Sequence, residues 1–352
     1  MSRGAGSAGP QDNRDKRRRV LAMVLVSVVC AGAATAYMGI ASRRDDQIMD
    51  VAARAEGGAA ISEIVRQPHL LFRSTSLDDA YGRMMLTPTN RPGQPLAVTD
   101  LECRRVHFSG GHGICLRSEQ NPLGGADAVL FDENFEETTS FAIPGTPSRA
   151  QVAPDGDVAA YTVFVTGHSY AQGGFSTRTA FVEIATGAEV GELEQFTVFR
   201  DGKTIHSPDF NFWGVTFESS DSFFATLGTG GKTYLVKGDL AAKEAIVIAE
   251  GVECPALSPD GSRVAFKQRS DTGVGPVTWA VAVLDLDTLD RTTLSETRNV
   301  DDQVQWLDND HVIYGLPKEP QSPVTNVWSA RADGTERPRL LVEGAWSPVV
   351  VR

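Results

Sequence analysis

Histidine and cysteine are scarce, with six and four among 352 residues. Catalytic and metal centres draw heavily on both, so few such centres can be assembled here. The histidines at 69, 168, 206 and 311 are scattered and form no recognisable triad. No G-x-S-x-G stretch occurs, which removes the nucleophile elbow that this pattern builds. Asp285, Asp287 and Asp290 in LDLDTLD lack the glycine and distal glutamate of an EF-hand loop, so they read as a solvated strand end and turn. Positive charge is also short. Lys and Arg total 33 against 45 Asp and Glu, a net −12. Residues 1–41 hold six Lys/Arg and two Asp/Glu, a local +4, which leaves −16 for the rest. So acidic a body lacks the basic patch that nucleic acid or anionic lipid requires.

One long apolar run is present. Residues 20–41, VLAMVLVSVVCAGAATAYMGIA, carry no formal charge over 22 residues. A helix needs about 20 such residues to cross a bilayer. Arg14, Lys16, Arg17, Arg18 and Arg19 precede the run. The positive-inside bias therefore places the N-terminus in the cytoplasm and the chain beyond residue 42 outside. Ala34-Thr35-Ala36 has the form of a signal-peptidase site, so cleavage after Ala36 competes with an uncleaved signal-anchor. The run continues through Ile40, which favours the anchor. The expected organisation is a basic, disordered cytoplasmic tail (1–19), a transmembrane helix (20–41), a juxtamembrane stalk (42–68) and a folded domain (69–352).

Glycine (34) and proline (18) are plentiful and scattered, the texture of short strands and turns. Beyond residue 69 period-2 alternation dominates. A strand, often ending in Asp, then a polar turn and a second strand recur at 83–99, 128–143, 180–196, 234–250, 281–297 and 327–343. Successive starts lie 45 to 54 residues apart. Between the copies sits a second hairpin, clearest in QVAPDGDVAAY (151–161) and ALSPDGSRVAF (256–266). VQWLDNDHVIY (304–314) repeats it with Asp308-Asn309 as the turn. TFESSDSFFAT (216–226) and RVHFSGGHGICL (105–116) are weaker copies. Proline fixes φ and Asp-Gly accepts positive φ, so Asp155-Gly156 and Asp260-Gly261 read as tight turns.

Four strands per unit of 40–50 residues predict an all-β, six-bladed β-propeller of four-stranded blades. The first blade lacks a leading strand. EGAWSPVVVR (343–352) resembles the lead-in EGVECPALSPDG (250–261), so the C-terminal strand is expected to close the ring against HLLFRST (69–75). The turn residues step by 45, 65, 40 and 48. The long step is expected to hold an inserted loop at 167–178, on blade 3, as a recognition loop.

Cys103, His107, His112 and Cys115 fall within 13 residues. A tetrahedral zinc site, free thiols and a disulfide are all open. A hairpin turning near Gly110-Gly111 brings both cysteines together, and extracytoplasmic pairs usually oxidise, so the Cys103–Cys115 disulfide is the preferred reading. Cys254 remains over, as a buried small hydrophobe or an intermolecular partner. The tryptophans at 213, 279, 306, 328 and 346 would pack between blades or, in the rival reading, line a sugar-stacking channel.

On Ala153-Pro154-Asp155-Gly156 with Tyr161, and Ser258-Pro259-Asp260-Gly261 with Phe266, residues 69–352 resemble the TolB-like six-bladed propellers. The order of one anchor and a propeller is similar to the membrane-anchored "TolB-like translocation protein" group. The resemblance implies an extracytoplasmic protein-interaction module, and from the residues no cofactor, metal or catalytic group is expected. About 27 residues separate anchor and propeller, too few for the separate N-terminal domain of TolB, so its envelope role does not carry over. Propeller-bearing peptidases add a hydrolase domain for which this chain leaves no room. The expected partner is an unidentified envelope protein, met by a monomeric propeller. The alternative is a glycan-binding or hydrolytic propeller with its site at the channel mouth.

Overall fold

The computed structural model describes residues 61–94, 96–118, 125–165, 176–270 and 277–352. The tail, the 20–41 span and most of the 42–68 stalk lie outside the described residues, as does 167–175 of the expected insertion. No described helix is long and apolar enough to cross a membrane.

Strands 83–88 and 126–132 are buried on both faces, while outer strands such as 137–143 keep an exposed side. Blade 1 holds β1 (His69–Ser74), β2 (Arg83–Pro88) and β3 (Ala97–Glu102). Blade 2 holds β4 (Arg105–Ser109), β5 (His112–Ser118), β6 (Ala126–Asp132) and β7 (Glu137–Ile143). Blade 3 holds β8 (Thr146–Val152), β9 (Val158–Val165), β10 (Ser176–Glu183) and β11 (Glu189–Glu192). Two added strands follow, β12 (Thr197–Arg200) and β13 (Lys203–Ile205). Blade 4 holds β14 (Asn211–Phe217), β15 (Ser222–Thr229), β16 (Lys232–Asp239) and β17 (Glu244–Glu250). Blade 5 holds β18 (Glu253–Leu257), β19 (Arg263–Arg269), β20 (Trp279–Asp285) and β21 (Arg291–Thr293). Blade 6 holds β22 (Gln305–Trp306), β23 (His311–Pro317), β24 (Thr325–Arg331) and β25 (Arg339–Val342). The last strand, β26 (Ala345–Val351), returns to blade 1 as its innermost strand.

That return is the closure the C-terminal sequence foretold. β26 runs antiparallel to β1, pairing His69 with Val351, Leu71 with Val349 and Ser74 with Ala345. First and last segments of the domain therefore share one sheet, and β26 covers the inner edge of β1.

Six separate apolar clusters fill the six seams between blades, one per seam. Strand alternation divides each blade between two of them. Leu71 faces blade 2, while Leu70 and Phe72 face blade 6. Phe223 faces blade 3, where its ring centroid lies 4.8 Å from that of Phe181, while Phe224 faces blade 5. Each large buried side chain contributes roughly 1.5–3 kcal/mol, so the seams hold the ring together.

Two expectations need revising. The sequence puts the extra length of the long step at 167–178, yet Ser176, Thr177 and Arg178 belong to β10. The described part of the extra length is the β12–β13 hairpin, and β12 lies parallel to β17 on the outer edge of blade 4. Its strands are only four and three residues long, too short to register as a repeat unit. The packed body also starts before His69. Ile61–Ile64 form one helical turn, and Ile64 is fully buried against Leu71 and Met84 in the seam between blades 1 and 2.

Candidate functional site

The innermost strands are β26, β4, β8, β14, β18 and β22, and they ring the central channel. At one end, β4, β8, β14, β18 and β22 are each followed by the hairpin turn that the sequence repeats. Asp155 and Gly156, Asp260 and Gly261, and Asp308 and Asn309 all stand there. Gly156 and Gly261 have φ of +82° and +72°, which explains glycine at the second turn position. The turns contact one another. Gly110 of blade 2 lies against the Gly156 backbone, with no room for a side chain between them. Asp155 accepts from the Ser220 hydroxyl of blade 4. Asp260 donates its N–H to Asn309 of blade 6, and Arg263 donates to the Asn309 carbonyl at 2.6 Å. Within its own turn, Asp260 accepts from the hydroxyls of Ser258 and Ser262 and from the Ser262 N–H. Those bonds hold its carboxyl at about 2, below the usual range. Asp308 accepts from Asp310 N–H and pairs with His311 Nδ1 at 2.9 Å. All six turn residues are thus engaged in the architecture.

The outer turns use the same device. Asp132, Asp239 and Asp285 each end a third strand, Asp333 stands two residues beyond one, and all four accept a backbone N–H from two or three residues further on. Asp285 is therefore a turn cap, as LDLDTLD was read.

Cys103 and Cys115 are disulfide-bonded, with Cα atoms 5.3 Å apart. The bridge ties the end of β3 to β5, and so blade 1 to blade 2. His107 is not grouped with them as a ligand. Its Nδ1 accepts the Val152 N–H at 3.0 Å, which satisfies the inner edge of β8. Burial, reinforced by the Arg352 charge, brings its ring down to about 3, so it stays neutral in the fold. Thr216 repeats the arrangement two blades on, taking the Leu257 N–H at 3.1 Å. Trp306 donates its indole N–H to the Ala256 carbonyl at 2.8 Å. Among the described residues no three His, Cys, Asp or Glu converge as a metal site.

Tryptophans serve the blades rather than an open stacking wall. Arg105 lies over Trp346, Arg263 over Trp306, Lys267 over Trp279 and Arg298 over Trp328. The last pair, at 3.9 Å, adjoins a buried network in which Glu296 accepts from Arg298 and from the Tyr314 hydroxyl.

The channel itself holds charges that belong to none of the repeated motifs. Arg105 pairs with the fully buried Asp302 at 2.9 Å. Lys267, itself buried, pairs with Asp301 at 2.7 Å. Arg149 extends from blade 3 towards blade 5, where its Nη2 lies 3.7 Å from Cys254 Sγ. Cys254 is buried as expected, but against a guanidinium rather than an apolar hole. It has φ of +49°, Ser347 has +52° and Gly214 has +67°. All three lie at bulges of inner strands, where the pairing register shifts. The likeness of EGAWSP to EGVECP was this bulge. Burial lowers Arg105, and the nearby Arg149 charge adds to the effect while Asp302 opposes it. Burial also pushes the Glu253 carboxyl up to about 7. The available signal was charge breaking an apolar lead strand, as Arg105, Arg149 and Glu253 all do.

Fold and channel define a closed six-bladed propeller with an ion-paired shaft. No family model matches the sequence, and no curated protein matches it. Among solved structures, TolB from Acinetobacter baumannii aligns with a TM-score of 0.54 at 14% identity, over 81% of this chain and 67% of that one. A chain of a nidogen–laminin complex also aligns at 0.54, with 11% identity, over 80% of this chain and 98% of that one. A puromycin-hydrolysing peptidase from Mycobacterium tuberculosis aligns at 0.44 with 15% identity, over 79% and 45% of the two chains. At these identities the first two likenesses show the fold, a TolB-like β-propeller.

Proposed function

We propose that this chain is a membrane-anchored, extracytoplasmic propeller that binds a protein of the cell envelope and is not an enzyme. The carrying observation is how its reactive groups are used. His69, His107 and His311, the six turn residues and the Cys103–Cys115 pair are all bonded within the fold. Chemistry of that kind maintains a scaffold whose faces remain for recognition. A disulfide fits an oxidising compartment, which agrees with the orientation read from residues 14–41. The nidogen–laminin neighbour is a chain solved in a protein complex, which supports the same use of this fold.

Photo-crosslinking in intact cells tests the reading. Leu77 and Tyr81 are exposed in the connection between β1 and β2, opposite the turn face, where Asp157 follows its blade 3 turn. A photo-reactive residue at 77 or 81 is expected to give a discrete envelope-protein adduct that one at 157 does not. No adduct from any position, with cell-wall glycan hydrolysed by the purified chain, overturns it in favour of the enzymatic alternative.

A further inference from the structure

One outer edge of the propeller is both long and uncharged. In each sheet the outermost strand pairs on one side only, so its other side is open. Natural sheets blunt such edges by shortness or by charge, and most of these follow that rule. β13 and β21 have three residues each, and β11 and β25 have four. β3 carries Asp100 and Glu102. β7 differs. It runs for seven residues, and residues 138–143 hold neither a charge nor a proline.

The pairing register shows which backbone groups are open. Asp132 donates its N–H to the Glu136 carbonyl, so Asp132, Leu130 and Ala128 all turn their backbone groups towards β7. Thr139 and Phe141 stand opposite Leu130 and Ala128 and answer them. Ser140 and Ala142 therefore point their N–H and C=O outward, where no described strand lies. The edge is also held in position. On one side the blade 3 turn closes over it, since a Cβ at Gly187 would lie 2.8 Å from Thr139 Cγ2. On the other side Thr138, Ser140 and Ala142 are small and exposed. In the turn before β7, Glu133 and Glu136 are exposed and meet no cation among the described residues, while Glu137 pairs with Arg117.

We infer that β7 is a docking edge for an extended segment of a partner protein, added antiparallel as a fifth strand of blade 2. Main-chain bonds to Ser140 and Ala142 supply affinity, and the small outer side chains set the fit. Charge defines the kind of segment. An antiparallel strand brings its C-terminal end beside Glu133 and Glu136, so that end carries Lys or Arg. A second copy of this chain is a poorer occupant. Pairing β7 with itself would set residues 143–145, none of them basic, beside those carboxylates, and the chain is net acidic. The inference rests on the protein-binding reading, which the adducts from positions 77 and 81 test separately.

The test uses the full-length chain in a non-ionic detergent at low salt. The probe is a fluorescein-labelled peptide of alternating Thr and Val closed by two C-terminal arginines, followed by fluorescence anisotropy. Saturable binding is expected. Moving the arginines to the N-terminus should weaken it about tenfold, as should Glu133→Lys combined with Glu136→Lys. N-methylation of alternate peptide amides should abolish binding in one of the two registers and spare it in the other, because only one set of N–H groups faces β7. Ser140→Pro removes an outward N–H without touching the β6 ladder and should weaken binding roughly tenfold. Should that variant fail to fold, the methylated peptides decide on the parent chain. Three results overturn the inference: no saturable binding, equal binding of the reversed peptide, or the same response to both methylation registers. A disulfide between copies of Ser140→Cys overturns it in favour of a second copy of the chain.

Discussion

Arg263 and Arg149 occupy inner hairpins two blades apart, one at the turn face and the other in the channel. Arg263 donates to the Asn309 carbonyl, stands 3.8 Å from Asp260 and lies over the Trp306 ring. Arg149 has one carbonyl of its own strand and a thiol. The turn face repeats around the ring, so each blade supplies what its neighbour needs. The channel does not repeat. Its lining comes from single residues of different blades, and its pairs are improvised across the gap. Architecture is written where residues recur, and chemistry particular to this chain where they do not.

The largest expected effect comes from breaking the ring. Deleting residues 344–352 removes β26, exposes the inner edge of β1 and opens the seam between blades 1 and 6. The cost should approach the stability of the domain itself, about 5–15 kcal/mol. Circular dichroism should show no cooperative melt. A truncated chain with the parent melting temperature would mean that the blades hold together without closure.

Next comes the bridge between blades 1 and 2. A twelve-residue separation between Cys103 and Cys115 corresponds to roughly 3 kcal/mol of loop-closure stabilisation. Replacing both with Ala should lower the urea midpoint accordingly, and reducing agent should then have no further effect. An unchanged midpoint would show that the apolar seam suffices there.

The third contrast separates a structural histidine from a functional one. Folded His107 titrates at about 3 against the ordinary 6.5. Between those values the unfolded chain binds a proton that the folded chain does not, so stability falls as pH drops below 6.5. At pH 5 the loss is roughly 2 kcal/mol. His107→Gln retains an acceptor for Val152 and should flatten that slope in denaturant titrations at pH 5 to 7. An equally steep slope in the variant would assign the acid sensitivity elsewhere.

The propeller, its closure and its turns were legible because each follows from local chemistry repeated at a fixed interval. Period-2 alternation, Asp-Gly at a positive-φ corner, and the matched EGAWSP and EGVECP all state a backbone need in a few residues. The channel was hidden for the converse reason. Arg105 and Asp302 are 197 residues apart, and Arg149 and Cys254 are 105 apart. No spacing rule joins them, because only the closed ring does. The β12–β13 hairpin escaped as well, since seven strand residues carry too little periodicity.

The smallest effect tests whether the turn face is only architecture. Asp260 stays ionised in the fold down to about pH 2, and its contribution is present above the ordinary carboxylate value of 3.8 and lost as pH falls through about 2. Its side chain is partly exposed, so removing its bonds in Asp260→Ala should cost at most about 1 kcal/mol. Because the fold asks only for a turn there, the variant should keep the parent's crosslinked adducts from position 81. A variant that melts normally but loses those adducts would move recognition onto the turn face. The repeated aspartates would then serve two ends, and the turn face would be scaffold and site at once.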